Sequence, residues 1–224
     1  MKFAVQLINN NEPLMESVEK CFQGDSARIR KLGNDWFLES CLFDACAAPG
    51  KVFPIADELL RLMRRLTAVH GRLFSFCEIG YAQAFNEAGA PVGRALRATQ
   101  RVQVISEEEL QELQKPDGEQ SRGSVLVGVA MKEKKLQEAL VLVGDGYELQ
   151  WAQIYNIFEF LGGAKAIAER KWATRKQVRK YRRAANHRRH LGSPQDYPLP
   201  DDPPSQAEAA TLVFGLLRKW ISEL

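Results

Sequence analysis

The pattern of apolar residues changes near Pro116, and this change most constrains how the chain can fold. Before it, short runs rich in β-forming residues alternate with helical segments. After about Met131, apolar residues recur at helical spacing to the end of the sequence. Residues 115–123, which are polar and turn-forming, separate the two patterns and are typical of a linker. The sequence therefore predicts an α+β fold: a mixed α/β domain over residues 1–123, followed by an all-α domain over 124–224.

In the first domain, residues 3–8 and 36–43 are predicted as strands, because they are apolar, rich in β-formers and bounded by turn residues. Residues 54–70 carry leucines at helical spacing and predict a helix that ends at Gly71. Residues 73–85 and 102–105 are predicted as further strands, and Ser106 as a helix N-cap. This half contains neither a phosphate-binding loop nor a nucleophile elbow. We expect it to sense a trigger or to recognise a substrate for the second half.

The second half begins with an apolar run of uncertain type, residues 124–129, and is helical after it. Amphipathic spacing predicts helices over 131–143, 149–161, 164–170, 174–188 and 206–224. The pair Gly162-Gly163 ends one of these helices, and Ser205 caps the last. Packed on their apolar stripes, these helices would form a compact bundle with a long loop, residues 192–204, before the final helix.

Positive charge is concentrated in one segment of the second half. The net charge of +3 is too small to indicate a partner by itself. Between residues 165 and 189, however, Glu169 is the only acid among the following basic residues: Lys165, Arg170, Lys171, Arg175, Lys176, Arg179, Lys180, Arg182, Arg183, Arg188 and Arg189. Such a local patch is the expected footprint of phosphate contact.

Two of the three histidines lie at the end of this basic segment. On a helical wheel, Val178, Tyr181 and Ala185 share the face predicted to be buried. The opposite face carries Lys176, Arg179, Arg183, Asn186, His187 and His190. Histidine exchanges protons near neutral pH, and arginine binds phosphate in a fixed fork. A neutral imidazole could remove a proton from an RNA 2′-hydroxyl, and a protonated one could donate to the leaving 5′-oxygen. A solvated basic helix face without chemistry remains the alternative.

The spacing of Arg182 and His187 is R-x-x-x-x-H, on a helix of a predicted bundle. With residues 151–159, 171–174, 185–190, 203–208 and 217–220, it resembles the HEPN domains of prokaryotic toxin and phage-defence ribonucleases. The resemblance covers roughly the last 90 residues of the chain. It implies a homodimeric, metal-independent endoribonuclease in which arginine and histidine meet across the dimer cleft. By this resemblance Arg182 and His187 are the catalytic pair, and Glu159 is an acidic helper from the preceding helix.

The sequence departs from the family pattern at Arg183, where a small polar residue is usual, and Arg189 with His190 offers a second pairing. We assign phosphate contact to Arg182 and Arg183, acid/base roles to His187 and alternatively His190, and an orienting role to Asn186. We expect Lys176, Arg179, Arg183, Asn186 and Arg189 to contact nucleic acid.

Two other functions fit the same residues. Residues 164–188 also have the pattern of a DNA-binding helix-turn-helix, although Trp172 stands in the turn where glycine is usual. The chain could instead be a non-catalytic, dimeric interaction or sensor module. RNA is the expected partner and DNA the alternative. We expect no cofactor, no metal and no membrane contact, and a cytoplasmic location, since no apolar run approaches membrane-spanning length.

Overall fold

The structure, a computed structural model, describes residues 1–9, 11–70, 77–97, 121–144, 148–190 and 197–224. Within these ranges the fold is mixed α+β, with a five-stranded antiparallel sheet in the N-terminal half and helices in the C-terminal half. The chain divides into two compact units, Met1–Leu66 with Leu73–Glu133, and Thr67–Arg72 with Lys134–Leu224. The boundary predicted at residue 123 therefore lies ten residues before the observed one at 133. Residues 115–120, 102–105 and Ser106, which carry the predicted linker, strand and N-cap, lie outside the described residues.

The sheet of the first unit contains β1 (Lys2–Ile8), β2 (Arg28–Leu32), β3 (Asp35–Glu39), β4 (Glu78–Phe85) and β5 (Pro91–Leu96). The strand order is β2-β3-β1-β4-β5, and all neighbouring pairs are antiparallel. Strands β2 and β3 form a tight hairpin, in which Leu32 pairs with Asp35 and Gly33 adopts a φ of 56°. Strand β1 lies at the centre, and its residues 3–7 are buried on both faces.

Among its described residues, the first half also contains helices α1 (Glu12–Glu19), α2 (Phe53–Val69) and α3 (Arg122–Lys132) and two short 3₁₀ helices, Cys41–Ala45 and Pro49–Val52. The predicted helix at 54–70 is confirmed by α2. The strand predicted at 36–43 is too long, because the Ser40 hydroxyl accepts a hydrogen bond from the Leu42 N–H and starts a 3₁₀ turn. The strands β2 and β5 and the helix α1 were not predicted.

Hydrogen bonds from Ser121 attach the start of α3 to the loop after α1. The Ser121 hydroxyl donates to the Cys21 carbonyl at 2.7 Å and accepts from the Gln23 N–H at 2.7 Å. It also accepts from the Ser124 N–H at 3.3 Å, so that it caps α3. The same oxygen therefore caps the start of α3 and holds it against a segment about 100 residues earlier, which is why α3 belongs to the first unit.

The second unit contains α4 (Lys134–Val143), α5 (Trp151–Phe160), α6 (Gly163–Glu169), α7 (Arg175–Arg189) and α8 (Gln206–Ile221). The helix predicted at 131–143 is in fact two helices that meet at Glu133, whose backbone is extended (φ −95°, ψ 99°). The predicted stop at Gly162 is confirmed by its left-handed φ of 84°. Ile154, Phe158, Val178, Val213 and Leu217 belong to the core of this unit. None of the helices in the described ranges is long and apolar enough to cross a lipid bilayer.

Candidate nucleic-acid interface

Helix α7 carries the basic face, and a side-chain hydrogen bond at its N-terminus determines where the helix begins. The Thr174 hydroxyl accepts a hydrogen bond from the Gln177 N–H at 3.1 Å and caps the helix. Val178, Ala184 and Ala185 are buried, whereas Tyr181, which was assigned to the same face, is half-buried. The buried side of α7 is therefore narrow and made of small residues, and the rest of the helix surface is available to polar contacts.

The turn between α6 and α7 is anchored to the end of the chain through Trp172. This indole is buried, and its Nε1–H donates to Glu223 Oε1 at 2.9 Å. The Lys219 ammonium donates to the Trp172 carbonyl at 2.6 Å. Lys171 adopts a left-handed φ of 58°, a conformation that costs a residue other than glycine about 1 kcal/mol or more. The left-handed position typical of a helix-turn-helix turn is thus occupied by Lys171, next to Trp172.

Six cations of α7 are exposed and form no ion pair with an acid in the described part of the chain: Arg175, Lys176, Arg179, Arg183, Arg188 and Arg189. Two others are paired. Lys180 contacts Asp202 at 2.5 Å, which raises the pKa of Lys180, and Arg182 contacts Glu159. The sequence predicted a local basic patch. In the structure, acids from other segments neutralise Lys180 and Arg182, whereas the six exposed cations stay unpaired; we call these six the exposed stripe of α7.

Arg182 is held in place by two residues of α5. Its Nε–H donates to Glu159 Oε1, and its Nη2 donates to the Tyr155 hydroxyl at 3.2 Å. The bond to Glu159 is the main cause of the raised pKa of Arg182, which keeps the guanidinium charged. Tyr155 and Glu159 are four residues apart on α5 and so lie on the same face of that helix. The structure therefore brings together Arg182 and Glu159, two of the residues assigned to the site from the sequence.

Arg189 lies over the same tyrosine from another direction. Its guanidinium carbon is 3.6 Å from the centroid of the Tyr155 ring, and its Nε–H donates to Asn186 Oδ1 at 2.9 Å. The guanidinium of Arg182 is 5.3 Å from that centroid. Tyr155 thus contacts two arginines, and cation–π interactions hold both guanidinium groups against its ring. Asn186 orients Arg189 in this arrangement.

His187 and His190 both contact Tyr197, which follows α7 in the chain. His187 Nδ1 lies 2.6 Å from the Tyr197 carbonyl oxygen. The His190 ring is stacked on the Tyr197 ring, with centroids 4.7 Å apart and planes inclined by 18°. Both histidines are half-buried. The two imidazoles are therefore gathered at one place, as the wheel predicted, and a loop residue holds them there.

Most of the residues assigned from the sequence thus fall into three groups on or beside α7: the exposed stripe, the Arg182–Glu159 pair and the two histidines. Sequence reasoning missed two aromatic residues that organise them. Tyr155 lies in the helix predicted at 149–161 from its apolar spacing, and its i, i+4 spacing to Glu159 was a signal for an arginine-binding face. Tyr197 lies in a loop and gave no periodic signal.

No cluster of three or more histidine, cysteine, aspartate or glutamate side chains among the described residues could hold a metal ion. Comparison of the chain with protein-family models, with curated proteins and with solved structures finds no match.

Proposed function

We propose that this protein binds single-stranded RNA on the exposed stripe of α7 and cleaves it without a metal, as a homodimer with a HEPN-like helical C-terminal half. The observation that carries the proposal is the pairing of an unneutralised cationic stripe with two imidazoles held at its C-terminal end. Phosphate contact and proton transfer are the two requirements of RNA cleavage at a 2′-hydroxyl. A role in toxin or phage-defence systems follows from the family resemblance alone.

In this mechanism His187 acts first as a base. It removes the proton from the 2′-hydroxyl, and the 2′-oxygen attacks the neighbouring phosphorus. The bond from phosphorus to the 5′-oxygen breaks, and that oxygen takes a proton from an imidazolium or from water. The products are a 2′,3′-cyclic phosphate and a 5′-hydroxyl. His190, whose ring is stacked on that of Tyr197, is the alternative acid/base group.

Arg182 and Arg183 would bind the scissile phosphate. Arg183 is exposed, and Arg182 already has a fixed direction through Glu159 and Tyr155. The Arg182–Glu159 pair is about 40% exposed on both sides. Because an exposed ion pair of this kind contributes about 0.2–1 kcal/mol, a phosphate can replace Glu159 at small cost.

RNA binding is tested by salt dependence. The variant with Lys176, Arg179 and Arg183 changed to alanine is compared with one in which Lys132, Lys134 and Lys135 are changed, since all six side chains are exposed. If each α7 residue contacts one phosphate, the slope of log K against log salt flattens by about 2, at roughly 0.7 per phosphate on single strands. The control variant keeps the wild-type slope. Equal slopes for both variants would contradict the proposal.

Cleavage is tested in EDTA with the His187→Ala variant, and with His70→Gln as the control that removes the third histidine. We expect His187→Ala to lose cleavage while binding RNA within about twofold of the wild-type affinity, because its neighbours supply the phosphate contacts. The cleaved ends should carry 2′,3′-cyclic phosphate. Undiminished cleavage when both His187 and His190 are replaced would refute the mechanism.

The dimer is tested by mixing two inactive proteins. If Arg182 of one protomer serves His187 of the other, a mixture of the Arg182→Ala and His187→Ala variants should recover about a quarter of the activity. Half of the dimers are then mixed, and each has one intact site of two. No recovery in a verified mixed dimer would assign both residues to one protomer.

A DNA-binding function is the second candidate, supported by the left-handed Lys171 between α6 and α7. It predicts preference for one duplex sequence and no RNA cleavage. A protein that binds neither nucleic acid would instead be an interaction or sensor module.

A further inference from the structure

The segment from Tyr197 to Ser205 runs back along helix α7. At its start the Tyr197 ring stacks on His190, and five residues later Asp202 contacts Lys180 at 2.5 Å. Ten residues of helix separate His190 from Lys180, about 15 Å at 1.5 Å per residue. Five residues of extended, proline-rich chain cover about 16 Å at 3.1 Å per residue. The segment therefore has just the length needed to lie extended beside the helix, with little slack.

The contact between Tyr197 and His187 determines which ring nitrogen carries the proton. A carbonyl oxygen has no hydrogen to give, so His187 Nδ1 must be the donor at this 2.6 Å distance. A neutral imidazole has a single N–H, so Nε2 then carries a lone pair that can accept a proton. The Tyr197 carbonyl thus selects the form of His187 that can act as a base through Nε2.

Three features restrict the direction of this carbonyl. Tyr197 precedes Pro198, and a residue before proline is confined to extended backbone. Its ring is stacked on His190, and the prolines at 198, 200, 203 and 204 stiffen the segment that follows. No described residue forms a hydrogen bond to the Tyr197 hydroxyl. The ring and the backbone of Tyr197 therefore matter to the site, and its hydroxyl does not.

We propose that Tyr197 is a positioning residue: its carbonyl holds His187 in the Nδ1–H form, and its stacked ring holds the carbonyl in place. The effect of Tyr197 on catalysis rests on the proposed ribonuclease function, whereas its effect on the tautomer of His187 does not. His190 then belongs to the supporting group, because its ring contacts the ring of Tyr197.

The test is long-range ¹H–¹⁵N NMR on the full-length protein, which identifies the protonated nitrogen in each of the three imidazoles. The wild-type protein and Tyr197→Phe should show the Nδ1–H form of neutral His187. In Tyr197→Gly, which loses the ring, the population should shift toward the Nε2–H form that free histidine favours. Pro198→Ala removes the restraint on the Tyr197 backbone but keeps the Tyr197 ring, so it should give a smaller shift in the same direction. This second variant tests the proposal even if Tyr197→Gly does not fold.

In RNA cleavage, Tyr197→Gly should lower kcat about tenfold or more, as loss of an orienting partner does, with KM changed less than about twofold. Tyr197→Phe should match the wild type. An Nε2–H form in the wild-type protein, or an unchanged tautomer in both Tyr197→Gly and Pro198→Ala, overturns the positioning role. The expected tautomers in a protein that cleaves no RNA support the positioning role and overturn the ribonuclease function.

Discussion

Replacing Gly123 with alanine should destabilise the first unit, although alanine is the better helix former. A Cβ atom at Gly123 would lie 2.0 Å from the carbonyl oxygen of Cys21. Ordinary contacts between such atoms exceed 3 Å, so the start of α3 or the Cys21 backbone must move by about 1 Å. Neither atom belongs to a flexible side chain that could turn away.

The displacement acts on the hydrogen bonds of Ser121, which joins the same two segments. Two of them, to the Cys21 carbonyl and from the Gln23 N–H, are 2.7 Å long. Losing both costs about 2 kcal/mol, and overpacking adds about 1–3 kcal/mol. The gain in helix propensity offsets at most about 1 kcal/mol. We expect the free energy of unfolding to fall by about 2–4 kcal/mol.

Gly215 in α8 provides the matched control. A Cβ atom there would have its nearest neighbour, Nη2 of Arg218, at 3.9 Å, which is ordinary contact. Gly215→Ala should therefore stabilise its helix by about 0.5–1 kcal/mol. Urea unfolding followed by circular dichroism gives the stabilities, and native-state hydrogen exchange by mass spectrometry reports α3 and α8 separately. If Gly123→Ala exchanges as slowly as wild type over α3, the clash does not exist.

Three further outcomes test the packing and electrostatics of the fold. Burial raises the pKa of Cys77 from 9.0 to about 11, so the stability that the neutral thiol contributes is full below pH 9 and is lost as the pH rises toward 11. The urea midpoint of Cys77→Ala should therefore fall less than that of the wild type over this pH range. Plots of urea midpoint against pH that run parallel for the two proteins would contradict this prediction. Hydrogen bonds from the backbone and hydroxyl of Ser205 lower the pKa of Glu208. The Glu208 carboxylate therefore stabilises α8 at neutral pH, and this stabilisation is lost as the pH falls through the lowered pKa. The difference in thermal midpoint between the wild type and Glu208→Gln should shrink in acid. Trp172→Phe removes the hydrogen bond from the indole to Glu223 and should lower the free energy of unfolding by about 1 kcal/mol, measured by chemical denaturation. An unchanged stability would mean that water replaces this bond.

Helix α1 and strand β2 show where reasoning from the sequence failed in the first unit. The run of asparagines before Pro13 was interpreted as a turn, whereas Asn11 Oδ1 caps α1 and Pro13 occupies its first turn. Three of the five residues of strand β2 are basic, and its Arg28 pairs with Glu39 of β3 at 3.8 Å. The pairing with β3 determined this strand more than its own composition did.

The sequence by itself determined the α+β division, the approximate extents of α2, α7 and α8, the Ser205 cap of α8 and the concentration of charge and histidine at α7. These features depend on interactions within about four residues, which periodicity and capping patterns reveal. Only the tertiary structure decided that the helix at 131–143 breaks at Glu133, because residues on its two sides belong to different units. Likewise, only the tertiary structure placed Tyr155 beside Arg182 and the Tyr197 carbonyl beside His187. These contacts join segments that a turn or a loop separates, and no local sequence pattern specifies the path of that turn or loop.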